Sequence, residues 1–85
     1  MNFGQAIEAL KQGKKVARKG WNGKGMFIFI ADEIGFHTKA DMKAYEESGI
    51  DVHDSICMLT ADGEIVVGWL ASQKDMLAED WHIVE

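Results

Sequence analysis

Met26-Phe27-Ile28-Phe29-Ile30-Ala31 is the stretch on which the fold turns. Six consecutive apolar residues, mostly aromatic or β-branched, favour a strand. A half-buried strand alternates apolar and polar side chains, and this one does not. It is apolar on both faces, which predicts a central strand. One face should lie under a helix and the other under something else. In a chain of 85 residues, that second cover is expected to be another subunit. The run is also far short of the roughly 20 residues that span a bilayer.

Upstream, Gly20-Trp21-Asn22-Gly23-Lys24-Gly25 places three glycines in six residues, and residues 15–19 read as a short strand. The helix that should cover the central strand spans residues 3–12. Asn2 and Gln5 have capping-box spacing, and Phe3, Ala6, Ile7 and Leu10 recur at i, i+3, i+4 and i+7. Gly13 is placed to end it in the left-handed region. Downstream, residues 32–54 form a long excursion. A short helix is expected over 39–48, carrying Ala40, Met42, Ala44 and Tyr45 and ended by Gly49. Ser55-Ile56-Cys57-Met58-Leu59-Thr60 reads as a strand. Ala61-Asp62-Gly63 reads as a hairpin turn, and residues 64–70 as the returning strand. Ser72-Gln73-Lys74-Asp75 opens a second capped helical turn, and Trp81-His82-Ile83-Val84 reads as a last strand. Strands in adjacent runs, without regular βαβ alternation, predict an α+β fold. The expectation is one domain over residues 1–85. Its N-terminal helix packs on an antiparallel sheet of about five strands, with short helical insertions.

Composition narrows the function. The net charge is −5 and the pI about 5.1, so the global basic footprint of a DNA- or RNA-binding protein is missing. Charge is uneven: residues 1–43 hold eight Lys/Arg against four Asp/Glu, and residues 44–85 hold one against ten. The basic half is compatible with a small anionic ligand, and equally with two solvated faces that pair across subunits. Cys57 is the one cysteine, which excludes an intrachain disulfide and a four-cysteine zinc site. Its place between Ile56 and Met58 reads as a core thiol. His37, His53 and His82 lack ligand spacing, so no metal and no cofactor are expected. Without such a staple, a chain this short gains most by oligomerising. Residues 1–10 lack a basic region leading into an apolar run, and a free thiol suits a reducing compartment, so the expected location is the cytoplasm.

Two segments could bind a ligand. Glycines 20, 23 and 25 can expose backbone N–H groups to a phosphate, with Arg18, Lys19 and Lys24 beside them and Trp21 as a stacking platform. Gly23-x-Gly25 alone is not a dinucleotide fingerprint. The competing reading is a glycine-rich hairpin with Trp21 plugging the core. Trp69 precedes a capped turn whose Ser72, Gln73 and Asp75 can read hydroxyls, and whose start can attract an anion. The competing reading there is a simple capped turn, with Trp69 and Trp81 in the core. Glu46/Glu47 and Glu79/Asp80 are expected to face solvent, and no catalytic set emerges.

The two segments together carry a resemblance. Asn2-Phe3-Gly4, Gly13-Lys14-Lys15-Val16 and Arg18-Lys19-Gly20-Trp21-Asn22-Gly23-Lys24-Gly25-Met26 stand at one end. Thr60-Ala61-Asp62-Gly63, Trp69 and Ser72-Gln73-Lys74-Asp75-Met76-Leu77-Ala78-Glu79-Asp80-Trp81 stand at the other. The chain resembles the second type of Thoeris anti-defence proteins of phages and prophages, leaving only about residues 32–54 unmatched. The resemblance implies a sponge for a cyclic ADP-ribose isomer, glycocyclic ADP-ribose, made by the Thoeris immune sensor of the infected bacterium. The ligand is held and not cleaved, in pockets between the subunits of a homotetramer. Some relatives hold cyclic oligonucleotides at a separate site. Carried onto this sequence, the ligand residues are Trp21, Asn22, Gly23, Lys24, Gly25, Trp69, Ser72, Gln73 and Asp75. The family pattern expects prolines before Trp69 and Ser72, where this chain has Gly68 and Ala71. Two other classes compete with the sponge. One is a small hydrolase of the signal, with Asp75 or Asp80 as base. The other is a protein-binding inhibitor of an immune effector.

Overall fold

The computed structural model describes residues 1–32, 38–45 and 49–85. Helix α1 spans Phe3–Lys11. Its capping box is complete: Asn2 Oδ1 accepts from the Gln5 amide at 2.8 Å, and Gln5 Oε1 accepts from the Asn2 amide at 2.9 Å. Such a cap is worth about 1 kcal/mol. Ala6 and Leu10 are fully covered, and Ala9 nearly so. The two alanines let the helix lie close to the sheet beneath it. Gly13 leaves the helix at φ 84°, as the sequence predicts.

Strands β1 (Lys15–Arg18), β2 (Phe27–Ala31), β3 (Ser55–Leu59), β4 (Ile65–Val67) and β5 (Trp81–Val84) form one antiparallel sheet in the order β4-β3-β2-β1-β5. The doubly apolar β2 is the central strand. Val16, Ile28 and Met58 stand side by side across three strands and form the row on which α1 rests. Trp81 completes this core from β5, tilted against Phe3 at a centroid distance of 5.4 Å. With an N-terminal helix, five antiparallel strands and a short second helix α2 (Gln73–Leu77), the fold is α+β.

Alternation puts Ala17, Phe27, Phe29, Cys57, Leu59, Ile65 and Val67 on the other face. Neither α1 nor α2 covers it, since both pack on the Val16–Trp81 side. Cys57 is buried in its strand, as expected of a core thiol.

Two elements are shorter than the sequence predicts. Of the helix expected over 39–48, only the single 3-10 turn Lys43–Tyr45 forms among the described residues; positions 46–48 lie outside them. Thr38 Oγ1 takes the Ala40 amide and Asp41 Oδ1 takes the Lys43 amide, so side chains compete for the donors a helix would use. The strand expected over 64–70 stops at Val67. There Gly68 turns to φ 91°, and the amides of Gly68 and Trp69 both donate to the Ile56 carbonyl, at 3.0 and 2.7 Å. Two residues opposite one is a β-bulge, and it moves the following side chain to the other face. Trp69 thereby joins the core side.

Candidate functional site

Three indoles meet at the α1 side of the sheet, each from a different segment. Trp21 comes from the turn after β1, Trp69 from the bulge after β4, and Trp81 from the start of β5. Their centroids lie 5.3 Å (Trp21–Trp81), 6.1 Å (Trp21–Trp69) and 6.3 Å (Trp69–Trp81) apart, all edge-to-face. That arrangement sets the positive edge of one ring on the negative face of the next. Trp81 is buried, whereas Trp21 and Trp69 are half-buried and form the rim. Trp21 packs against the core, as the plug reading expects, and keeps part of its surface exposed.

Polar atoms beneath the rings converge on Asp75. Its Oδ1 accepts from Arg18 Nη1 at 2.9 Å and from Trp21 Nε1 at 3.2 Å, while Oδ2 accepts from the Ser72 amide at 3.1 Å. The Asp75 carbonyl accepts from Trp81 Nε1 at 2.9 Å. Arg18 also donates through Nε to Asp80 Oδ1 at 2.9 Å, and Asp80 Oδ2 takes the Gly20 amide at 2.8 Å. Burial pushes the Asp75 carboxyl up, but Arg18, Ser72 and Trp21 together outweigh it and hold it below the ordinary range. The Arg18 hydrogen bond does the same for Asp80, and the two acids raise Arg18 in return. Asp80, expected to face solvent, is half-buried because Arg18 captures it.

The structure brings Trp21, Trp69, Ser72 and Asp75 into one cluster. Gly23 lies against Met26 and the Ala61 side chain, where an added Cβ would come within 2.7 Å of Ala61 Cβ. It is a glycine for packing. Asn22, Lys24, Gly25 and Gln73 are exposed and make no hydrogen bond to the cluster. The start of α2 leaves only the Gln73 and Lys74 amides open. The Ser72 amide is on Asp75 Oδ2, and the Asp75 amide is on Ser72 Oγ at 3.1 Å. The chain's own carboxylate already fills the place expected for an anion. Gly20 likewise spends its amide on Asp80, and Arg18 is committed to two acids rather than left for a phosphate. A shallow groove of about 420 Å³ between α1 and β5, lined by Gln5, Glu8, Gln12 and Ile83, touches none of the nine expected residues. Among the described residues no group of three or more His, Cys, Asp or Glu could hold a metal.

Reading the sequence missed Arg18 as the organiser of this site. The available signal was its position two residues after Val16, on the core face of a strand. A charge placed there requires buried partners.

The Thoeris anti-defense 2-like domain family matches residues 1–84 of the chain. Thoeris anti-defense 2 of Bacillus phage SP01 is 44% identical over 85 residues, covering 99% of this chain and 94% of the phage protein. The indole and acid residues just described all fall within these matches, and the chain belongs to the Thoeris anti-defense 2-like family.

Proposed function

We propose that this protein binds glycocyclic ADP-ribose and sequesters it without cleaving it, so that Thoeris defence in the infected bacterium is not triggered. Membership of the family supports the anti-defence role. The observation that carries the ligand reading is the indole rim: Trp21 and Trp69 are half-buried, pre-packed and side by side. An adenine stacks on an outer face of one of these rings, since rings already in edge contact leave no slot between them. Stacking of this kind contributes about 1–3 kcal/mol. The pyrophosphate belongs on the Lys24–Gly25 side, away from the Asp75 carboxylate. Asn22 and Gln73 are left for ribose hydroxyls and base edges, and Ser72 Oγ, which accepts from the Asp75 amide, can still donate its own hydrogen.

The hydrolase reading gives Asp75 or Asp80 the part of general base. Both are held by Arg18 and titrate below the ordinary carboxyl range, whereas a base working near neutrality needs a raised value. This favours storage over turnover. Incubation with glycocyclic ADP-ribose, followed by heat release and chromatography, tests it. Intact ligand is expected, and linear product would establish an enzyme. A direct effector inhibitor would instead retain the effector in a pull-down with nucleotide-free protein.

The functional unit in this proposal is a homotetramer. The apolar face left open by α1 and α2 supplies surface for assembly.

A further inference from the structure

We infer that Arg18 is a positioning residue for the binding site, acting on the ligand through Asp75 and the Trp21 indole and not by contact. This rests on the reading above, in which Trp21 carries the ligand. One oxygen, Asp75 Oδ1, receives both Arg18 Nη1 and Trp21 Nε1. An indole N–H is a donor only, so a fixed acceptor fixes the swing of the ring. That acceptor is fixed in turn, because Ser72 holds its second oxygen and Arg18 pulls on the first. The Arg18 and Asp75 side chains are 17% and 13% exposed, which leaves water little chance to replace either bond. Arg18 also reaches Asp80 through a second nitrogen. Its planar fork joins two acids that would otherwise repel each other and any anionic ligand. Gly20 has no side chain for the same reason, since a Cβ there would stand 2.9 Å from Asp80 Oδ2 and 3.2 Å from Arg18 Nη2.

The Asp75 carboxylate accepts three hydrogen bonds from the chain itself, and its place at the site is to orient Trp21. Releasing one ordered side chain costs binding about two- to twelve-fold. Arg18→Lys is the variant of choice, because it keeps the charge and removes the fork. The first readout needs no ligand. In ¹H–¹⁵N spectra the Trp21 indole N–H of Arg18→Lys should move toward the position of an unbonded indole and exchange faster with water. The Trp81 indole N–H, bonded to the Asp75 backbone carbonyl, should stay in place and reports an intact fold. The second readout is the Kd for glycocyclic ADP-ribose. Arg18→Lys should weaken binding about two- to twelve-fold when Trp21 is present and have no effect in a Trp21→Ala background. An unmoved Trp21 resonance, or losses that add in the double variant, overturns the proposal while leaving the ligand reading standing. No binding by the unaltered protein overturns the ligand reading, and this proposal with it. If Arg18→Lys does not fold, Trp21→Phe makes the same cut from the other side, keeping a ring and losing the N–H. Unchanged binding by a folded Trp21→Phe overturns the proposal.

Discussion

Gly68 adopts a backbone angle that a proline cannot. Its φ of 91° lies in the left-handed region, whereas proline is fixed near −65°. Where the family pattern expects proline before Trp69, this chain reaches the core with a glycine bulge instead. No atom lies within 4 Å of a Cβ built on Gly68, so the cost of a substitution there is purely conformational. Gly68→Ala should lower stability by about 1–3 kcal/mol, and Gly68→Pro by more, as read by urea denaturation. Both should weaken binding if Trp69 is a wall of the site. A second outcome at this scale concerns pH. Asp75 and Asp80 titrate lower in the folded chain than in the unfolded one, where a carboxyl sits near 3.9. Their stabilisation is therefore complete above that value and is lost as pH falls through the folded values. The melting temperature should be flat from about pH 5 to 8 and fall below about pH 4. Asp80→Asn should flatten that acid limb. None of this network is legible locally, because Arg18 is 57 residues from Asp75 and 62 from Asp80.

Elements whose cause is local were read correctly from sequence. Helix α1 announces itself through a cap, a periodic face and a glycine stop, all within twelve residues. The centrality of β2 follows from six apolar residues that no edge strand could carry. What escaped was competition: Thr38 and Asp41 take the amides of the expected helix, and a bulge cuts β4 short. In each case a pair of hydrogen bonds overrides propensity. The indole cluster was half legible. Each tryptophan stood out, but only the sheet order brings Trp21 and Trp81 together, by placing β5 beside β1. The energetic weight of α1 can be measured. Leu10 is 1% exposed over the Val16–Ile28–Met58 row, so Leu10→Ala should cost about 2–5 kcal/mol. Asn2→Ala removes only the cap and should cost about 1 kcal/mol. In a domain of this size the first change consumes much of the folding free energy. The two should therefore separate clearly in a thermal melt.

At the scale of the molecule, the open face of the sheet is what remains to be explained. Val67 and Ile65 on β4 are 70% and 61% exposed, opposite Cys57 and Leu59 in register. A lone chain gains nothing from leaving such residues in water, and an edge strand this apolar invites pairing with another copy. Light scattering at micromolar concentration should therefore give more than 9.5 kDa, and four times that mass if the homotetramer implied by the resemblance forms. Val67→Lys isolates the cause. On a free surface the substitution should change the stability of the chain by less than about 0.5 kcal/mol. Between copies it would bury an unpaired charge, at a cost of several kcal/mol. The expected result is a smaller species with native circular dichroism. If the ligand pockets lie between subunits, as the resemblance implies, weaker binding of glycocyclic ADP-ribose should accompany it. A Val67→Lys protein that keeps its mass would move the interface away from β4. Unaltered protein that scatters as 9.5 kDa would remove the assembly, and the open face would then have to be a surface for something other than this chain.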